Sequence, residues 1–367
     1  MHSFCSSAAI TWRLSTLSLI LAAGVNPPAV AQTLAAQTLG HQPLCEASAA
    51  MIIDCPDKSG RCLLVGDNEV RQSLFLFDLT DSGIDSTSQR PLALNPADEL
   101  SDIEALASLA NGGVGVFASH GRNADCEAKK NRRRFGVIDS LTAAPVAVTV
   151  TQSKGIDCSG LFGSPTPDEP LIKSVCAAIT QAERAAEVLP KGSGKTQCNG
   201  VHAYNAEGAV NVSETDTANL WIGVRSPLLP VHPTDKNRKD LAVLMHMKGL
   251  DAYSFDRVAV LDMDGRGVRD LAYADGWVWV IAGPPEDQAD GAQQPFELRR
   301  FLPDALNAGT TIVPEVIHRD LPPSSEGLAI FKHQAIVVVD GGKNNNVGAS
   351  TCGRDAKYVI LSLPQQR

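Results

Sequence analysis

The sequence lacks an excess of basic residues and, beyond its first residues, any long hydrophobic run. Lys and Arg number 32 against 41 Asp and Glu, so the formal net charge is -9 at pH 7. Proteins that bind nucleic acid usually carry a basic surface, so this balance predicts no nucleic-acid partner. No segment after the N-terminal one is long and apolar enough to span a bilayer.

The sequence also lacks the common short motifs of catalysis and metal binding. It has no Cys-x-x-Cys zinc or redox pair, no G-x-S-x-G nucleophile turn and no H-E-x-x-H metal helix. Residues 192–196 resemble part of a phosphate-binding loop, but Leu189 stands where its first glycine is required. Residues 262–265 resemble the start of a calcium loop without the rest of its spacing. Whether the protein is an enzyme is therefore left open by its motifs.

The N-terminal segment has the order of a secretory signal peptide. Arg13 precedes a short apolar run, Leu14 to Val25, and a small-residue Ala29-Val30-Ala31 site follows. We predict that residues 1–31 are removed, that residues 32–367 form one mature domain, and that the protein is periplasmic or secreted. A short membrane anchor is the alternative, but the run is short for a bilayer.

Removal of this segment leaves an even number of cysteines. The sequence has 9 cysteines, of which Cys5 lies in the leader. In an exported chain an even number predicts disulfide bonds, although pairing cannot be deduced from spacing alone. Cys55 and Cys62 enclose a turn-rich loop and form the best local pair.

Short apolar strands separated by Asp, Gly, Asn and Pro recur along the mature chain, which is typical of a sandwich, barrel or propeller. Within them one pattern repeats: an acidic residue, small and apolar residues, a polar turn, and a strongly apolar strand. The acids that begin the five copies are Glu46, Glu104, Glu207, Asp270 and Glu326. The spacing predicts an all-β fold, a β-propeller of five to six blades, with a β-sandwich as the alternative.

Two stretches depart from the repeat. The last copy lacks an outer strand, and the residues near Thr33 to Leu39 are placed to supply it and close the ring. Residues 169–188 have the composition and period of a helix, so we interpret about 153–200 as a helical insertion in the propeller. The insertion is expected to lie passively on the surface, or else to form a lid over one face.

The repeated acids predict a polar centre. In a propeller the innermost strands line the channel, so Glu46, Glu104, Glu207, Asp270 and Glu326 are expected to form one ring. Crowded carboxylates need a cation, an arginine, shared protons or water, and several oxygens near an axis suit calcium. The alternative is that each acid binds backbone N–H groups or pairs with an arginine.

A second polar set follows the inner strands. We predict ligand-binding roles for Arg225, Ser226, Arg269 and Lys343, because the charges of the two arginines and the lysine would attract an anion. His120 is the candidate general base, although a lone histidine at a strand end is more often a plain hydrogen-bonding residue.

An ordered series of segments resembles the bacterial family called domain of unknown function 3616. The segments are Asp102-Ile103-Glu104-Ala105-Leu106-Ala107 with Ser119-His120, Asn205-Ala206-Glu207-Gly208 with residues 220–227, Gly267-Val268-Arg269-Asp270-Leu271 with residues 281–284, and Glu326-Gly327-Leu328-Ala329. The resemblance covers most of the mature chain and implies a bacterial origin and a propeller-like fold. It departs from the family at Ala105, where Gly is usual, and at the helical insertion.

Two functions follow as hypotheses. The first is a non-catalytic propeller that binds a small molecule or a partner in the cell envelope. The second is a calcium-dependent secreted hydrolase of phosphate esters or lactones, because Glu-Gly-Leu-Ala segments are also similar to the exported phytase-like esterase group. In that mechanism calcium would polarise the substrate and position water, while Arg225 or Lys343 held the anion.

Overall fold

Short strands and tight turns make up most of the protein, as the alternation of apolar and turn residues predicts. The computed structural model describes residues 34–97, 99–153, 156, 169–213, 219–286, 294–342 and 354–364. The strands, in chain order, are β1 (Gln37–Thr38), β2 (Ala47–Asp54), β3 (Arg61–Asp67), β4 (Ser73–Thr80), β5 (Gly83–Asn95), β6 (Ile103–Ser108), β7 (Val114–Ala118), β8 (Arg134–Ile138), β9 (Val146–Ala147), β10 (Thr149–Gln152), β11 (Asn205–Asn211), β12 (Leu220–Val231), β13 (Lys239–Met247), β14 (Phe255–Leu261), β15 (Gly267–Ala274), β16 (Trp277–Gly283), β17 (Phe296–Phe301), β18 (Glu315–Leu321), β19 (Ser325–Phe331), β20 (Gln334–Val339) and β21 (Lys357–Ser362).

The strands form five sheets arranged as the blades of a propeller. Blade 1 is β2-β3-β4-β5 with β9 added in parallel at its edge, blade 2 is β6-β7-β8-β10, blade 3 is β11 to β14, blade 4 is β15 to β18, and blade 5 is β19-β20-β21-β1. The first strand of each blade contacts the first strand of the next, and β19 returns to β2. The propeller prediction is confirmed, with five blades.

The N-terminal strand closes the ring. β1 pairs antiparallel with β21 through Gln37 and Thr38, so the last blade combines both ends of the described chain. Leu39 then buries its side chain completely, and its backbone N–H donates to the Ala356 carbonyl at 2.8 Å. The expectation that residues near Thr33 to Leu39 supply the missing strand is therefore confirmed.

Each blade-to-blade interface has its own apolar core. Five clusters of buried residues lie between blades 1 and 2, 2 and 3, 3 and 4, 4 and 5, and 5 and 1. Both faces of a blade are covered by its neighbours, which explains why the central strands are apolar without interruption rather than alternating.

Every inner strand carries a bulge near its start, and the bulge sets which side chain faces the axis. The register of each inner strand with its neighbour skips one residue, and the residues skipped are Ser48, Glu104, Glu207, Arg269 and Glu326. A β-bulge re-aims the extra side chain and increases the local twist. The blades therefore present these five residues as structural equivalents.

Small residues follow the bulges because the inner strands approach closely there. A Cβ on Gly327 would lie 2.9 Å from the Ala49 carbonyl carbon of the neighbouring inner strand. Ala49, Ala105 and Gly208 occupy the corresponding places in blades 1 to 3. Close packing at the axis thus explains the acid–small residue pattern of the repeat.

The insertion between β10 and β11 contains two helices, α1 (Glu169–Glu187) and α2 (Lys195–Gly200). The apolar stripe of α1 is buried in the core between blades 2 and 3. The predicted helix over 169–188 is thus present, and α2 was not predicted. None of the helices among the described residues is long and apolar enough to cross a membrane.

Two disulfide bonds constrain loops of the protein. Cys55–Cys62 closes the predicted local loop, and Cys126–Cys198 joins the loop after β7 to α2 across 72 residues. Cys45 and Cys176 are also disulfide-bonded, so all cysteines among the described residues are oxidised. Cys158 and Cys352 lie outside the described residues. Oxidised cysteines indicate an oxidising compartment.

Candidate functional site: a cavity at the channel mouth

Four of the five bulged residues line a cavity of about 670 Å³. They are Glu104, Glu207, Arg269 and Glu326, and Glu46 and Asp102 also reach the cavity. Part of its wall comes from the insertion, through residues 198 and 199 of α2 and residues 202–204 beyond it. A volume of this size is within the range of small-molecule sites, and its lining is unusually polar for one.

One network of ion pairs connects blades 3, 4 and 5 across the axis. The Nε atom of Arg269 lies 3.0 Å from one carboxylate oxygen of Glu207, and its Nη2 bonds Glu326. Arg225 Nη1 donates to the other Glu207 oxygen at 2.6 Å, and that oxygen also accepts from Asn205. All four side chains are buried, so any group of the network that is ionised depends on its partners for stabilisation.

A second pair lies beside blade 2. Arg132 Nη2 is 2.7 Å from Asp102 Oδ1, and the Ser119 hydroxyl donates to the other Asp102 oxygen. The Gly121 N–H in turn donates to the Ser119 hydroxyl at 2.9 Å. Asp102 thus holds the loop after β7 in place at the cavity wall.

Glu104 differs from the other ring residues because its carboxyl group has no hydrogen-bond or ion-pair partner among the described residues. Its side chain is buried, with 7% of the residue exposed, and it lines the cavity. Burial raises the pKa of Glu104 well above its usual range, and the nearby charges of Asp102, Glu207 and Glu326 raise it further. This environment therefore favours the protonated, uncharged form of the Glu104 carboxyl group.

Glu326 is perturbed in the same direction. Burial raises its pKa to about 8, with Arg269 opposing the shift and the charges of Asp340 and Glu207 adding to it. Burial thus raises the pKa of both Glu104 and Glu326 above the ordinary glutamate range.

Two of the predicted ring acids occupy other places, because the acids do not mark equivalent positions in every repeat. Glu46 lies two residues before the bulged Ser48 but still lines the cavity. Its N–H donates to the buried carboxylate of Asp67 at 2.9 Å. In blade 4 the bulged residue is Arg269, and Asp270 follows it.

Asp270 has a structural environment. It does not line the cavity, and its carboxylate accepts the N–H groups of Leu271 at 2.7 Å and Leu328 at 2.6 Å, with a further bond from the Ala50 N–H. Burial raises its pKa well above the usual range. Asp270 thus ties the inner strands of blades 4, 5 and 1 together.

The donor set for calcium is incomplete in this arrangement. Within the described residues, the one group that brings three candidate ligand atoms within 4.8 Å of each other is Cys55, Cys62 and Asp78. The two cysteines in it form a disulfide. The ring acids form no such group, and Arg269 stands between two of them. Calcium binding therefore stays a prediction that this geometry does not support.

His120 lies away from the cavity. Its ring stacks on Tyr253 with centroids 3.6 Å apart, and its Nδ1 is 3.0 Å from the Ala118 carbonyl oxygen. Burial lowers the pKa of His120 to about 3, so the imidazole is uncharged. Because the ring does not reach the cavity, its proposed role as general base has no support in the geometry.

The predicted ligand-binding residues fall into two groups. Arg225, Ser226 and Arg269 line the cavity, and the Ser226 hydroxyl donates to the Ala203 carbonyl at 2.7 Å. Lys343 lies outside the described residues. The sequence pattern did not predict the cavity residues of the insertion, such as Asn199 and His202. Cys198 is the feature of the sequence that could have located these residues, because a disulfide bond at Cys198 holds its neighbours against the ring.

Comparison with known proteins assigns no family to this chain. No family model and no curated protein matches the chain, so the resemblance to domain of unknown function 3616 stays a prediction. A galactose-bound exo-β-1,3-galactanase from Phanerochaete chrysosporium matches at 12% identity and a TM-score of 0.44, over 90% of this chain and 65% of that chain. This chain thus spans about two thirds of that enzyme.

Two further structures match at similar levels. An α-L-arabinofuranosidase from Clostridium thermocellum has 10% identity and a TM-score of 0.43, covering 87% of this chain and 94% of that chain. The PQQ-bound aldose sugar dehydrogenase from Streptomyces coelicolor has 13% identity and a TM-score of 0.41, covering 89% and 96%. Likeness at this level assigns no activity to this chain.

Proposed function

We propose that this protein is an exported ligand-binding propeller that holds a small, hydroxyl-rich, uncharged molecule in the cavity at the channel mouth. The observation that carries the proposal is the cavity itself, a polar space of about 670 Å³ lined by Glu104, Glu207, Arg269 and Glu326, one from each of blades 2 to 5. Such a lining offers hydrogen-bond donors and acceptors side by side, which suits a molecule that presents both.

The state of the arginines argues against an anion. Arg225 and Arg269 are both engaged with Glu207, and Arg269 is also shared with Glu326. Arg132 is paired with Asp102 in the same way. A phosphate or carboxylate ligand could pair with these arginines only by displacing the carboxylates that already bind them. Without that displacement, the negative charge of the ligand would lie beside neutralised arginines and further acidic side chains. The pairing of the arginines therefore favours an uncharged ligand over the anionic ligand that the sequence predicts.

A titration series tests the proposal. Isothermal calorimetry of residues 32–367 should detect binding by neutral saccharides of two to four units or by inositol, and none by inorganic phosphate at the same concentration. Ala124 is exposed and lines the cavity, so Ala124→Trp should abolish the signal. Ala308→Trp, on an exposed loop that does not line the cavity, is the matched control. Binding that survives Ala124→Trp would place the ligand elsewhere, and binding of phosphate alone would overturn the proposal.

The same series tests the hydrolase hypothesis. Calcium titrated into chelator-treated protein should give no one-site binding if the ring is held by arginine. Tight binding that is lost in both Glu104→Gln and Glu207→Gln would instead revive the calcium mechanism and justify assays with phosphate esters and lactones.

Export is the other part of the proposal, supported by the oxidised cysteines. Mass spectrometry of the protein from the periplasm or medium of a bacterial host should give a chain that begins at Gln32. Retention of residue 1 in the cytoplasm would contradict it.

A further inference from the structure

We propose that Glu104 anchors the ligand as an uncharged carboxylic acid, whose O–H donates to an oxygen of a saccharide or related polyol while its carbonyl oxygen accepts from a ligand hydroxyl. This inference rests on the proposed function, because it assigns the ligand class and the recognising group of the same cavity.

Among the described residues, four of the five bulged side chains have a hydrogen-bond or ion-pair partner, and the fifth has none. Ser48 donates to the Ile103 carbonyl, Glu207 and Arg269 are ion-paired, and Glu326 shares Arg269. Glu104 occupies the fifth equivalent place and lines the cavity without a partner among the described residues. A buried carboxyl group with no protein partner is costly, so its presence facing a cavity calls for a partner there.

The charges around Glu104 decide its form. Asp102, Glu207 and Glu326 approach from the adjoining elements, and the cation acting on Glu104, Arg269, is already shared by two carboxylates. Ionisation would add a negative charge beside three acidic side chains at a position where only 7% of the residue is exposed. The pKa of Glu104 is raised by burial and by these charges, which agrees with an uncharged acid.

The ligand class follows from the chemistry of that group. A neutral carboxylic acid has one donor and free acceptor lone pairs, which match a hydroxyl or a pair of neighbouring hydroxyls. An ammonium ligand would need the ionised form, and a metal ion would need several converging oxygens. Among the described residues the ring carboxylates do not converge in that way.

Substitutions of Glu104 distinguish a neutral hydrogen-bonding side chain from one that makes no hydrogen bond. Gln keeps a neutral donor and acceptor of the same size, whereas Leu removes both with little change of shape. We expect Glu104→Gln to bind the saccharide within about threefold of the wild type, and Glu104→Leu to bind it at least about tenfold more weakly, the loss expected for one buried hydrogen bond. Wild-type affinity should fall at alkaline pH as Glu104 ionises, and Glu104→Gln should lose that contribution.

The controls make each failure distinct. Glu315→Gln, an exposed residue of β18 outside the cavity, should leave affinity unchanged, and thermal unfolding verifies that each variant is folded. Loss of binding in Glu104→Gln, or wild-type affinity that rises with pH, would overturn this inference while leaving the cavity as the binding site. Absence of saccharide and polyol binding in the wild type would overturn the proposed function itself. Carboxyl ¹³C chemical shifts, assigned by comparison with Glu104→Gln, give a ligand-free test: titration of Glu104 below pH 5 would refute the uncharged form.

Discussion

Glu207 joins blades 3 and 4 at the channel. Its two oxygens serve Arg225 of its own blade and Arg269 of the next, and Asn205 donates to it as well. Because Arg269 also reaches Glu326, three blades share one buried charge network. The residue therefore matters for stability as well as for the shape of the cavity.

Glu207→Gln should destabilise the fold strongly. It leaves Arg225 and Arg269 with less negative charge than their burial requires, so we expect a loss of about 3 kcal/mol in the free energy of unfolding. Urea denaturation measures the loss. Asp54→Asn is the control, because the Asp54–Arg61 pair is exposed and such pairs contribute at most about 1 kcal/mol. Equal effects of the two substitutions would show that the buried network does not stabilise the ring.

Glu326 predicts a pH dependence of stability. Its pKa is about 8 in the folded protein against an ordinary value of 4.5, so the folded state binds more protons than the unfolded state between those values. The stabilising contribution of Glu326 is complete below about pH 4.5 and is lost as pH rises through about 8. Urea denaturation at pH 5 and pH 8 should therefore show a smaller decline in Glu326→Gln than in the wild type. An unchanged decline would contradict the raised pKa.

At the scale of elements, the insertion is part of the site rather than a passive addition. Its helix α1 is bound through Glu183, whose carboxylate accepts from Arg122 at 2.9 Å and from Arg133 at 3.1 Å. The disulfide from Cys198 to Cys126 then fixes α2 against the cavity wall. Propellers that share the ring but differ in this insertion would thus differ in one wall of the cavity.

Removal of that disulfide should affect both stability and binding. Cys126→Ala with Cys198→Ala opens a 72-residue loop, for which the expected loss is about 2–4 kcal/mol. Ligand affinity measured by calorimetry should also fall, because Asn199 and His202 are no longer held in place. Cys55→Ala with Cys62→Ala opens a loop of only 7 residues and is the matched control, with a smaller loss of stability and unchanged affinity expected. An affinity loss in the control alone would contradict this account.

At the scale of the whole molecule, ring closure depends on a very short strand. β1 contributes two residues to blade 5, so most of its anchoring must come from the buried Leu39 in the core between blades 5 and 1. Opening this interface would expose apolar faces of both blades.

Leu39→Ala should therefore cost about 2–5 kcal/mol in the free energy of unfolding, as for other large buried side chains. Urea denaturation provides the measurement, and Leu302→Ala, at a side chain that is mostly exposed, should change stability by less than about 0.5 kcal/mol. A similar small change in Leu39→Ala would mean that the ring stays closed without it.

Much of the architecture was readable from local patterns. The repeat located the first two strands of all five blades, and the helical period gave α1. Cys55–Cys62 followed from its short loop and is confirmed. These features depend on neighbouring residues in the sequence, which is why spacing and periodicity suffice to find them.

The repeat also located the strands that line the channel, but it did not show which of their side chains face the axis. Aligning repeats by their acids equates Asp270 with Glu326, whereas the bulges equate Arg269 with it. The shared Leu-Ala pairs, Leu271-Ala272 and Leu328-Ala329, carried the correct alignment. A bulge shifts the side-chain alternation by one residue, and sequence period alone does not show where that shift occurs.

The sequence by itself determined the blades, the closing strand and the insertion, because these follow from local hydrophobic period and turn residues. Only the tertiary structure decided which side chains meet at the axis, since residues 48, 104, 207, 269 and 326 come together through ring closure and bulge geometry. The tertiary structure also decided the electrostatic environment of these side chains. A lone glutamate, a neutralised arginine and a raised pKa are properties of neighbours that are far apart in the chain and close together in the folded protein.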